Sequence, residues 1–367
     1  MYNSTTPTSS TMEDGHAKWR EIHSPSGWPR LIHDDQPDPW LKQEIIRYGV
    51  FSHATVMAFK FDSSSESFPN HLGLLFEQLH RRYGYEMTKL IYAHIDWPSC
   101  IGKLLSSWMG KWDGKQKNDS NLIGYVAVSD DDMSHQIGRR DIVVAWRGSV
   151  KLGEWFKDLQ VMLKKTGTGK VRVARGFNSI YTFKSDSSNL SASEEVMGEV
   201  KTLMKLYKDK GEEVGLTITG HSLGGALALL NAYEVASSLP DLPISVISFG
   251  APRVGNIAFR DELNKMDVKT LRVVNKSDKV TMLPGLTSKE RIERKFKKNL
   301  STDKLVKIVG LKNRVYKHVG TELMLDATRR LTPCEAHELK TYLSLLNGSD
   351  SVGFKIPCAC SPECYVG

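Results

Sequence analysis

Ser222 stands at the apex of Gly220-His221-Ser222-Leu223-Gly224 and is the residue of this chain best placed to attack an acyl carbon. A β-branched apolar run, Leu216 to Thr219, leads into the turn, and a good helix-forming run, Ala226 to Ala236, leaves it. Strand, tight turn and helix with a serine between them make a nucleophile elbow. The turn forces the serine backbone into a strained conformation, and side chains at the flanking glycines would collide with the neighbouring strand or helix. The hydroxyl is thereby held above the sheet, with a helix N-terminus behind it that favours developing negative charge. With 29 glycines in the chain the pattern carries little weight alone; the strand before it and the helix after it give it meaning. The plainer reading is a glycine-rich turn with Ser222 as a helix N-cap.

Such a serine needs a base and an acid to orient it, in the chain order serine, acid, histidine. Both belong just past the C-terminal ends of parallel strands. The strand-like run Leu271 to Val274 is followed by Asn275-Lys276-Ser277-Asp278, which puts Asp278 at the acid position. Its plain alternative is an Asx-turn. Two histidines follow, His318 in a strand-like segment and His337 at the opening of the last helix, and spacing alone does not choose between them. His221 is too constrained by the turn to be the base.

The elements that must hold these groups alternate after about residue 120. Strands are expected at Asn121–Ser129, Asp141–Trp146, 216–219, Ile244–Phe249 and Thr270–Val274, each short and rich in Val or Ile. Helices are expected at Ser191–Asp209, through the elbow, at Ile257–Met266 and at Glu335–Leu346. Alternation of this kind implies an α/β fold, a mostly parallel sheet with helices on both faces. From Trp19 to Tyr125 the signals are mainly helical, and Pro39 marks a helix start.

The 367 residues are 40% hydrophobic and 25% charged, a soluble globular composition. No apolar run approaches the roughly 18–20 residues that span a bilayer. Met1 to Gly15 is rich in Ser and Thr, without a basic residue or an apolar core, and so does not read as a secretory signal. The first basic residue, Lys18, follows Glu13 and Asp14, unlike an organellar transit peptide. The cytoplasm is therefore the expected compartment, with the plastid as the alternative if the chain begins further upstream. Cys358, Cys360 and Cys364 crowd the C-terminus, but no histidine lies near and the spacing fits no zinc pattern, so no metal is expected. Lys289 to Lys317 holds eleven basic and three acidic residues, an excess equal to the net +8 of the whole chain. That block reads as a solvated surface or as an attraction to anionic lipid; with Phe296 and Tyr316 its only rings, a nucleic-acid partner is not expected.

Several segments carry a resemblance: Gly138–Ser149 with Val143-Val-Ala-Trp-Arg-Gly-Ser149, Gly220–Gly225, Phe249-Gly-Ala-Pro-Arg-Val-Gly-Asn256 and Arg272-Val-Val-Asn275. Together with Trp19–His23 and Trp40–Tyr48 they look like the class 3 lipases, and more narrowly the plant phospholipase A1 group related to the anther-dehiscence lipase. The likeness covers about residues 18–347, read as one α/β-hydrolase domain after a disordered 1–17 and before a Cys-rich tail at 348–367. It implies that the base is His337, in a segment shaped like His-x-Leu-x-x-Tyr-Leu, and that His318 is structural. It also implies an oxyanion hole at Ser149 and the Leu223 main chain. Leu152, Trp155, Phe156 and Leu159 fall on one helical stripe. They are either a helix packed on the core or, as their place after the oxyanion turn implies, a lid. The resemblance implies a lipid acyl hydrolase acting on sn-1 esters at a membrane or droplet surface, peripherally bound and without a cofactor. The alternatives are a catalytically silent scaffold or receptor, or an esterase of soluble substrates. Two features depart from the family: 285–313 is long and basic, and the tail after Gly348 is short.

Overall fold

The computed structural model describes residues 31–33, 36–63, 71–94, 120–148, 163–166, 169–184, 189–284 and 316–348. A short ladder of β1 (Ile32–His33) and β2 (Gln36–Pro37) precedes α1 (Pro39–Ser63). Proline at the first helical position costs no helical hydrogen bond, and Asp38 caps the end by accepting from the Trp40 amide at 2.9 Å. The chain continues through α2 (His71–Tyr83), β3 (Tyr85–His94), β4 (Ser120–Ser129), α3 (Asp131–Ile137) and β5 (Arg140–Trp146). Next come β6 (Leu163–Lys165), β7 (Arg172–Ala174), α4 (Arg175–Thr182), α5 (Ala192–Asp209), β8 (Val214–His221) and α6 (Leu223–Ser238). Then follow β9 (Ile244–Phe249), β10 (Gly255–Asn256), α7 (Ile257–Lys265), β11 (Lys269–Asn275), β12 (Tyr316–Lys317), β13 (Thr321–Leu325), α8 (Pro333–His337) and α9 (Leu339–Leu346).

Seven strands form the main sheet in the order β13-β11-β9-β8-β5-β4-β3. The five from β13 to β5 are parallel, and β4 and β3 add antiparallel neighbours at one edge. Every residue of β5, β9 and β11 is buried, as strands covered on both faces must be. Strand alternation sorts the side chains into two cores. Ile142, Val144 and Trp146 of β5 pack with α4, α5 and α6, whereas Val143 and Ala145 pack with α1, α2 and α9.

Two expectations need correction. The N-terminal part is not helical throughout: Tyr85–His94 is a ten-residue strand. Glu86, Met87 and Lys89 interrupt the strand pattern that Tyr85, Thr88, Ile91 and Tyr92 offer, and pairing with β4 secures the strand. The closing helix is two helices, broken at Glu338, whose backbone is extended (φ −66°, ψ 131°).

Candidate active site

At the C-terminal end of the parallel strands the backbone does what the glycines around Ser222 permit. Ser222 takes φ +58°, ψ −121°, a conformation that costs a non-glycine residue about 1–3 kcal/mol. It is held there by its amide, which donates to the Phe249 carbonyl at 2.9 Å. A Cβ on Gly220 would run into the Gly224 carbonyl, and one on Gly224 into the Trp146 carbonyl. The elbow therefore closes only with glycine on both sides. Leu223 opens α6, so its N–H is among the helix donors with no intrahelical partner.

Asp278 lies three residues past β11 and is 2% exposed. Its Oδ2 accepts from His337 Nδ1 at 2.7 Å and from the Tyr342 hydroxyl at 2.6 Å, and Oδ1 accepts from the Val280 amide at 2.8 Å. His337 ends α8, a short helix started by Pro333 and a capping box of Thr332 with Glu335. Burial, then the charge of Asp278, pushes the Tyr342 phenol well above its ordinary range, so it stays protonated and donates. Gly250 (φ +56°) makes room for the cluster: a Cβ there would sit 2.9 Å from the Tyr342 hydroxyl and 3.0 Å from Asp278 Oδ2.

Because His337 donates through Nδ1, its Nε2 carries a free lone pair. Nε2 and the Ser222 hydroxyl are both buried, and neither has a hydrogen-bond partner. Buried polar atoms are rarely left so. These two are the atoms through which a serine would pass its proton to a histidine, and apo enzymes often leave that bond unmade.

Ser222, Asp278 and His337 are thus brought to one end of the sheet, with Leu223 at the adjacent helix terminus. His318 follows β12; its hydrogen bond goes to the Thr281 main chain, and burial, with Arg272 and Arg253 near, pushes its pKa down to about 3. Ser149, Leu152, Trp155, Phe156 and Leu159 lie outside the described residues, as do residues 1–17 and 349–367 and the basic block apart from Tyr316 and Lys317. Tyr342 is the member that sequence reasoning missed, although it stands in the His337–Leu343 segment that carried the resemblance. Among the described residues no group of His, Cys, Asp or Glu could hold a metal ion, and no helix is long and apolar enough to cross a membrane.

The family profile described as Lipase (class 3) matches residues 143–288, from β5 through the elbow to just past Asp278. Phospholipase A1-Igamma1, chloroplastic, of Arabidopsis thaliana is 38% identical over 96% of this chain and 73% of its own length. Galactolipase DONGLE, chloroplastic, also of Arabidopsis thaliana, is 34% identical over 90% of this chain and 68% of its own. A crystal structure of lipase from Rhizopus microsporus var. chinensis aligns at 18% identity with a TM-score of 0.48, over 81% of this chain and 78% of that one. Both named plant relatives are chloroplastic, so the expected cytoplasmic location finds no support in them. The chain belongs to the class 3 lipase family, in its plant phospholipase A1 group.

Proposed function

We propose that this chain is a lipid acyl hydrolase of the phospholipase A1 type, cleaving the sn-1 ester of glycerophospholipids or galactolipids with Ser222, His337 and Asp278 as its triad. The observation that carries this reading is the buried Asp278–His337 bond of 2.7 Å ending on an unpartnered Nε2, beside a strained serine whose hydroxyl is also unpartnered. Ser222 Oγ attacks the ester carbonyl as His337 Nε2 takes its proton. Asp278 fixes the tautomer and stabilises the imidazolium. The main-chain N–H of Leu223, with Ser149 as its partner, holds the oxyanion, each donor being worth about 3–4 kcal/mol. Collapse expels the lysolipid alkoxide, which leaves with the proton from His337. Water, deprotonated by the same histidine, then frees the fatty acid from the acyl-serine.

On this reading the stripe Leu152, Trp155, Phe156 and Leu159 is a lid that turns to lipid, and the basic block between Lys289 and Lys317 draws the site mouth to anionic surfaces. The compartment proposed is the plastid, by analogy with the chloroplastic relatives. The test is release of fatty acid from phosphatidylcholine, monogalactosyl diacylglycerol and triacylglycerol by the purified chain, with substrate carried from monomers into aggregates. Cleavage at sn-1 that rises at aggregation and vanishes in Ser222→Ala is expected. No turnover of any of the three would overturn the reading.

A further inference from the structure

The base sits on α8, five residues long and too short to support itself. Its N-terminus is tied by the Thr332–Glu335 capping box. Its C-terminus stops at Glu338, which leaves carbonyls that a longer helix would have satisfied. Two of them are met by side chains. Asn275 Nδ2 donates to the Ala336 carbonyl at 2.9 Å, and His221 Nε2 donates to the carbonyl of His337 itself at 2.7 Å. The donors come from the two strands that matter: His221 ends β8 and precedes Ser222, and Asn275 ends β11 three residues before Asp278.

A carbonyl only accepts, so the proton of His221 is on Nε2 and that nitrogen cannot act as a base. Burial, then the neighbouring His337, drives the His221 pKa well below the ordinary histidine value, which keeps the ring neutral and in this role. The two imidazoles lie with centroids 4.7 Å apart, so the donor also packs on the ring it positions. The Nδ1 edge faces the turn before Ser149: a Cβ on Gly148 would approach it to 3.5 Å.

We propose that His221 and Asn275 form a two-point clamp on the main chain of the base, positioning residues that tie the direction of the His337 ring to the nucleophile strand and to the acid strand. The clamp rests on the triad reading above. A misplacement of about 1 Å at a reacting group costs as much as 100-fold in rate, so the clamp acts on turnover and leaves substrate binding alone.

Three variants of the full chain test it: His221→Phe keeps a ring without the donor, His221→Gln keeps an N–H at a similar reach, and Asn275→Leu removes the second donor. Turnover of a soluble short-chain ester is measured with the downfield proton resonance of the His337–Asp278 bond, and thermal melting checks folding. We expect His221→Phe and Asn275→Leu to lower kcat about 10- to 100-fold with KM within about twofold, and to broaden or shift the resonance. His221→Gln should stay within about threefold of the parent and keep the resonance. A folded His221→Phe with parental kcat and resonance overturns the clamp, and so does His221→Gln falling as far as His221→Phe. If His221→Phe does not fold, the contrast of His221→Gln with Asn275→Leu decides. A parent chain that fails to take a fluorophosphonate label on Ser222 would sink the hydrolase reading, while the resonance still judges the clamp.

Discussion

Asp141 and Asp278 are buried carboxylates at opposite ends of the same parallel sheet, one at the start of β5 and the other past the end of β11. Asp141 is the more heavily bonded. Its Oδ2 accepts from Tyr48 and Tyr85, each at 2.7 Å, and its Oδ1 from Thr217 at 2.9 Å and Arg139 at 3.3 Å. Burial, then the charge of Asp141, raises both phenols well above their ordinary range, so they remain donors. The side chains bonded to Asp141 are two phenols, a hydroxyl and a guanidinium, and each of them donates to it. Asp278 takes one phenol, one amide and one imidazole, and the imidazole ends on an open nitrogen. Burial and hydrogen bonding mark a stabilised carboxylate; the proposed triad adds an imidazole that links Asp278 to a histidine nitrogen left without a partner.

The comparison breaks most sharply on the two aspartates. Asp278→Asn, like Ser222→Ala and His337→Ala, is expected to lower ester hydrolysis at least about 1000-fold while the fold persists. Asp141→Asn should do the reverse. It removes the carboxylate from Arg139 and the tyrosines, a loss on the order of 3–5 kcal/mol of stability, while kcat per folded molecule stays at the parental level. Urea unfolding beside turnover separates the two. An Asp141→Asn protein that folds normally but no longer hydrolyses ester would show that the far end of the sheet takes part in catalysis.

The tyrosines sharpen the contrast at a smaller scale. Tyr342→Phe takes one donor from Asp278 and should lower kcat about tenfold, because a hydrogen bond to a charged group is worth about 1.5–3 kcal/mol. Tyr48→Phe takes one donor from Asp141 and should lower the urea midpoint with kcat unchanged. Equal kinetic effects from the two would mean that Tyr342 only stabilises.

Much of this site was legible before the fold, for a physical reason. The elbow, its strand and its helix are local, so Gly220, Ser222 and Gly224 announce themselves within nine residues. Asp278 follows from a single strand end. The proposed base did not follow from spacing, because His337 and His318 both trail the acid; the resemblance singled out His337, and packing sets the two apart. His337 bonds Asp278, while His318 bonds the Thr281 main chain. The tie from His221 to the His337 carbonyl joins positions 116 apart, and no local pattern reports it. Arg147 is similar. It stands in the motif just before Ser149, yet its guanidinium lies 3.9 Å over the Phe59 ring and its Nε donates to the Leu122 carbonyl. Burial brings its pKa down to about 10. The edge strand Tyr85–His94 was lost because Glu86, Met87 and Lys89 blur its pattern, and pairing with β4 secures it.

The smallest expected effect concerns histidines without a carboxylate, which stand to His337 as Asp141 stands to Asp278. Burial, with Lys340 and Lys60 near, pushes the His53 pKa down to about 4, and His318 is pushed to about 3. An unfolded chain takes up these protons as the pH falls below about 6.5, whereas the folded chain refuses them until about 4 or 3. The stability the two neutral rings allow is therefore whole above about pH 6.5 and declines as the pH falls toward their folded values. Replacing them with a side chain that does not titrate should flatten that decline. In melts between about pH 7 and pH 5, the double variant His53→Gln, His318→Gln should lose fewer degrees than the parent, while ester turnover at neutral pH stays within about threefold. His337→Gln belongs in the same experiment, since there turnover should disappear at every pH. Acid melting as steep in the double variant as in the parent would assign the acid limb to other groups. A double variant silent at neutral pH would bring His318 back as a competitor of His337 for the role of base.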